Sequence, residues 1–92
     1  MSEPPIRRHA IVNGHVQGVF FRDATRRQAL ASGVGGWIRN RPDGTVEAVL
    51  EGPPAAVQQM LQFMQSGPPD AQVERLQVSD EEPEGLSSFE IH

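Results

Sequence analysis

The spacing of hydrophobic and polar positions changes several times along the chain, and each change marks an element. From Arg7 to His15, Ala10, Val12 and the side-chain-free Gly14 share one parity and Ile11 takes the other, which predicts a strand with one well-buried face. A glycine-bearing turn stops it. Phe21 to Ser32 contains no proline or glycine and carries Ala24, Ala29, Leu30 and Ala31, good helix formers, so a helix is expected there despite a ragged apolar stripe. Gly33, Gly35 and Gly36 end it. Trp37-Ile38-Arg39-Asn40-Arg41 then runs into Pro42-Asp43-Gly44, where proline presets φ and aspartate bonds its own turn backbone, predicting a hairpin. Its second strand, Thr45 to Glu51, alternates Val46, Ala48 and Leu50 with Glu47, Val49 and Glu51, one face for the core and one largely wet.

After Gly52-Pro53-Pro54, residues Val57, Met60, Leu61 and Met64 fall at i, i+3, i+4 and i+7, one stripe of a core helix that Gly67-Pro68-Pro69 closes. Val73 to Val78 is a strand, Asp80 to Gly85 reads as a solvated acidic loop, and Phe89 with Ile91 supplies a short last strand. Helices that interrupt strands in this order favour a two-layer split βαβ arrangement with one sheet face covered and the other open. Residues 1–6, with two prolines and no periodicity, are expected to be a flexible N-terminal arm, and 7–92 one domain. No internal repeat is visible.

Composition narrows the function classes. A chain of 92 residues supports one core. There is no cysteine, which removes disulfides, thiolate metal sites and a catalytic thiol. No apolar run is long enough to span a bilayer and no targeting segment is apparent, so a cytoplasmic protein without membrane partners is expected. The net charge of −4 divides unevenly: residues 1–41 sum to +5 and residues 42–92 to −9, and every cation is arginine. With an isoelectric point near 5.2 and no paired surface aromatics on its strands, the chain is not expected to bind nucleic acid. The arginines are few enough to serve a small anion.

The segment that could do so is Gly14-His15-Val16-Gln17-Gly18-Val19-Phe20-Phe21-Arg22, between the first strand and the first helix. Glycines at 14 and 18 let backbone amides turn inward, the helix start adds its positive dipole end, and the forked guanidinium of Arg22 can grip two anion oxygens. Spacing alone leaves this phosphate nest level with a plain connector followed by a surface arginine. The segment is neither a Gly-Lys-Ser/Thr phosphate loop nor a dinucleotide fingerprint.

Together with Gly36-Trp37-Ile38-Arg39-Asn40-Arg41-Pro42-Asp43-Gly44-Thr45-Val46-Glu47, that segment resembles the acylphosphatase family, whose signatures read G-x-V-Q-G-V-x-F-R and G-W-[VI]-x-N-x-x-D-G-x-V-E. Both are met in full, and the similarity runs from about His9 to Ile91. The resemblance implies an α+β, ferredoxin-like two-layer sandwich, βαββαβ plus a short final strand, with a mostly antiparallel sheet and two helices on one face. It implies hydrolysis of the carboxyl-phosphate bond of acyl phosphates to carboxylate and inorganic phosphate, without metal or cofactor. Arg22 matches the substrate-binding arginine and Asn40 the asparagine that orients the attacking water. His15, Val16, Gln17, Gly18, Val19, Phe20 and Phe21 match the loop whose amides hold the phosphoryl group. Asn40 read without the resemblance is a hairpin-turn residue, and its amide has no titrating group with which to act as a base.

His9 and His92 look peripheral, with no clustered carboxylates to complete a metal site. Arg39 and Arg41 flank Asn40, but strand alternation turns them toward solvent. A small-molecule acyl phosphate and a monomeric state are expected. The rival is a non-catalytic binding module on the same scaffold.

Overall fold

The computed structural model describes residues 3–92, so Met1 and Ser2 of the expected arm lie outside the described residues. Seven elements follow in order: β1 (Ile6–His15), α1 (Phe21–Ser32), β2 (Gly35–Asn40), β3 (Val46–Gly52), α2 (Pro54–Ser66), β4 (Gln72–Glu81) and β5 (Phe89–Ile91). The strands form one sheet in the order β4-β1-β3-β2-β5. Every pairing is antiparallel except that of β5 with β2. This is the βαββαβ sandwich with a short final strand that the pattern and the resemblance implied.

Period-two alternation sorts the strands cleanly. Ala10 faces Ala48 and Val12 faces Val46 across β1 and β3, and Ile38 pairs with Ala48 across β2 and β3. These residues, with Leu50 and Phe89, are buried against the helix layer. α1 presents Phe21, Thr25 and Ala29 to that core, and α2 presents the predicted stripe of Val57, Met60, Leu61 and Met64. α1 shows its ragged stripe because Thr25 sits in it, with its hydroxyl satisfied by donating to Phe21 O at 2.8 Å. Gly33, at φ 69°, closes α1 in the left-handed conformation, and Val34 N donates to Ala29 O.

The other sheet face departs from the wet surface expected. Val49 is buried, and Glu51 is only 3% exposed. Arg7, the cross-strand neighbour of Glu51, donates from Nη1 to Glu51 Oε2 at 2.6 Å and from Nε to Glu81 Oε1 at 2.7 Å. The amides of Glu84, Gly85 and Leu86 all donate to the Glu51 carboxylate. The acidic stretch is exposed as expected but is not all loop: β4 continues to Glu81, and the turn beyond it is tied by its amides to one buried carboxylate. That tie fixes the approach to β5, which docks through Gly36 N donating to Ser88 O and His92 N to Ile38 O.

Burial alone would raise the Glu51 carboxyl, but Arg7 and the three amides favour the charged form more strongly and leave it below its ordinary value. A carboxylate held below its unfolded value stabilises the fold above the ordinary carboxylate range and loses that contribution as pH falls through the depressed folded value. Glu51→Gln should cost about 1–3 kcal/mol at neutral pH, since it leaves Arg7 short of a buried partner. Urea unfolding should show that difference, and the gap between variant and parent should shrink in acid.

His9 is likewise less peripheral than its sequence context suggested. Its Nε2 lies 2.6 Å from Glu47 Oε2, and Arg39 Nε donates to the other oxygen of Glu47 at 2.6 Å. His92 stacks on Trp37 with ring centroids 5.4 Å apart.

Candidate active site

β1 must leave the sheet abruptly to make room for a loop before α1, and Gly14 allows it. The register of β1 against β4 shifts between Asn13 and Gly14. Gly14 has φ 128°, and a Cβ there would lie 2.1 Å from Gln72 O, so no other residue fits. The loop then passes through Gly18 at φ 75° and Phe20 at φ 64°. Phe20 is the only non-glycine at positive φ among the described residues, and it is 75% exposed. It immediately precedes α1 and makes no side-chain cap.

An open cavity of about 330 Å³ lies where this loop meets the end of β2. Val16, Gly18, Phe20, Phe21 and Arg22 line it from the loop and the first turn of α1, and Asn40 and Ile91 from β2 and β5. Val16 and Phe21 line it although both are buried in the core. The amides from Val16 to Asp23 donate to no backbone acceptor among the described residues. Those of the first turn belong to a helix N-terminus, where no intrahelical partner exists and the dipole is positive.

Arg22 is half-buried and forms no ion pair among the described residues, unlike Arg7, Arg8, Arg39 and Arg41. Asn40 is the last residue of β2, opposite Val46 of β3. Its amide oxygen is buried with no hydrogen-bond partner. Arg39, its neighbour, is directed to the opposite sheet face by strand alternation and is held by Glu47. The two sequence segments thus converge: Arg22, without an ion pair among the described residues, and Asn40 line one cavity, with loop amides beside it that have no backbone acceptor.

Three of the expected loop residues are not among those that line this cavity. His15 is exposed at the end of β1 and does not line the cavity. Val19 is packed into the core. Gln17 sends its side chain across to the hairpin between β2 and β3, where Nε2 donates to Arg41 O at 2.8 Å and to Thr45 O at 2.9 Å. That hairpin is closed by Arg41 N donating to Thr45 O, and by Thr45 N and Oγ1 donating to Asp43 Oδ1. Gln17 therefore locks the loop that leads into α1 and Arg22 to the turn that follows Asn40, a contact no local pattern reveals. Sequence reasoning also missed Asp23 and Ile91, which complete the cavity wall. The parallel pairing of β5 with β2, Ile38 opposite Ile91, is what brings Ile91 there.

Comparison with known proteins agrees along nearly the whole chain. The acylphosphatase family model matches residues 8–91. An acylphosphatase of Gloeobacter violaceus is 58% identical over 86 residues, covering 94% of this chain and 92% of the relative. One of Haloquadratum walsbyi is 50% identical over 91 residues, covering 99% and 98%. The crystal structure of acylphosphatase from Bacillus subtilis superposes with a TM-score of 0.91 at 35% identity, covering 95% of this chain and 98% of that one. With both signature segments gathered at one cavity and similarity of this extent, the chain belongs to the acylphosphatase family of hydrolases.

Proposed function

We propose that the cavity between the 16–21 loop and the end of β2 hydrolyses acyl phosphates, with the loop amides and Arg22 holding the phosphoryl group and Asn40 orienting the attacking water. The observation that carries this assignment is the meeting of Arg22, free of any ion pair among the described residues, with Asn40, whose amide oxygen has no partner, in one cavity. A buried acceptor left unpaired costs roughly 1–3 kcal/mol, so Asn40 gains by turning its side-chain amide toward a water in the cavity.

In this mechanism the phosphoryl oxygens replace the missing acceptors of the loop amides, and Arg22 takes two of them in its fork. The water oxygen attacks phosphorus in line with the bond to the acyl oxygen. That P–O bond breaks, and the carboxylate departs with the electron pair. The proton lost by water passes to a phosphoryl oxygen, so no enzyme base is required. A carboxylate is a good leaving group, and the demands on the protein reduce to positioning and charge stabilisation.

The direct test is hydrolysis of acetyl phosphate by chelator-treated protein, with inorganic phosphate as competitor. Turnover that survives chelation and is inhibited competitively by phosphate is expected, since charge stabilisation in this mechanism comes from amides and a guanidinium. Absence of turnover, or a steep pH dependence from an enzyme group titrating near neutrality, counts against it.

A further inference from the structure

Phe20 is hard to explain by packing. Its ring is 75% exposed, and its left-handed φ of 64° is strained for any residue with a Cβ. The ring stands at the boundary between two spaces. Phe20 and Asp23 line the cavity that holds Arg22 and Asn40, and both also line a second cavity of about 350 Å³ that continues along α1 past Ala24 and Arg27 to Pro68 and Pro69. The far wall is firm: Gly67, at φ 69°, turns the chain out of α2, and Ala71 N donates to Pro68 O across the two prolines.

Resting on the assignment of Arg22 and Asn40 above, we infer that this second cavity is the acyl-group subsite and that it takes a neutral, hydrophobic acyl group laid across the Phe20 ring toward Pro68 and Pro69. In-line displacement fixes the direction. Water and leaving group stand on opposite sides of phosphorus, so water held by Asn40 sends the acyl group away from Asn40. The second cavity shares Phe20 and Asp23 with the first but not Asn40, which is where such a leaving group would lie. The chemistry of its wall decides the acyl class. An aromatic ring, an alanine and two prolines supply apolar contact, and Asp23 and Asp70 outnumber Arg27, so a second carboxylate or phosphate on the acyl group meets net negative charge.

The test compares acetyl phosphate with phenylacetyl phosphate, which carries the same carboxyl-phosphate bond and adds one phenyl group. The protein is expected to hydrolyse the phenylacetyl compound with a kcat/KM about tenfold higher, the scale of one buried hydrophobic group. Ala24→Phe, which fills the groove, should bring the ratio of the two values close to one. Phe20→Gly should lower the same ratio while relieving the strained φ, so its effect does not depend on a damaged fold. Equal kcat/KM for the two compounds in the parent, or a ratio that neither variant moves, overturns the acyl subsite and leaves the hydrolase assignment standing. Hydrolysis of neither compound overturns both.

Discussion

Arg22→Ala is expected to lower kcat/KM for acetyl phosphate by roughly a hundred- to a thousandfold, the cost of removing one preorganised donor from developing negative charge. The same variant should lose competitive inhibition by inorganic phosphate, because in the proposed mechanism the guanidinium grips oxygens present in substrate and product alike. Stability should hardly change. Arg22 makes no ion pair among the described residues, so its removal breaks no ion pair of the folded state. Thermal unfolding and phosphate inhibition measured together separate this from a folding defect. Arg22→Lys should restore only part of the activity, since an ammonium is a point charge and cannot span two oxygens as a planar fork does. A lysine variant at parental rate would show that charge alone suffices at this position.

What the sequence made visible, and what it hid, divides by range. The α2 stripe follows from a 3.6 period, the β3 core face from a period of two, and the hairpin from Pro42-Asp43-Gly44, all signals within a few residues. Alternation also separated Arg39 from Asn40 correctly, leaving one on the open face and one at the cavity. The failures were long-range. Glu51 looked like the wet position of an alternating strand, yet it binds Arg7 across the sheet and three amides of a later turn. His9 looked peripheral because Glu47 is distant in sequence. Gln17 sits in the motif among residues that line the cavity, but its side chain is committed to the hairpin. A motif names the residues of a loop without saying which act through a side chain and which through an amide. The left-handed conformation of Phe20 was hidden for another reason: glycine advertises positive φ, and phenylalanine does not.

The asparagine at the end of β2 carries the second large effect, and two substitutions divide its contributions. Asn40→Ala removes the group proposed to align water but leaves Arg22 and the loop amides in place, so kcat should fall roughly a hundred- to a thousandfold with phosphate inhibition retained. Asn40→Asp keeps the shape and an acceptor oxygen, and adds a negative charge in a cavity proposed to receive an anion. Were the oxygen all that mattered, the aspartate variant would remain active. The expectation is that it is as slow as the alanine variant and, unlike it, inhibited only weakly by phosphate, because repulsion between carboxylate and phosphoryl oxygens acts at short range in a partly desolvated site. Asn40 Oδ1 is already buried without a partner, so neither change breaks a hydrogen bond of that oxygen; the alanine variant should keep its stability, and the aspartate variant, which puts charge on a buried unpaired oxygen, should unfold at a somewhat lower temperature. Measured as kcat and phosphate inhibition side by side, the pattern for a water-positioning asparagine is loss of rate alone in one variant and loss of rate with affinity in the other. Parental turnover in Asn40→Ala would remove Asn40 from the mechanism, whatever Arg22 does.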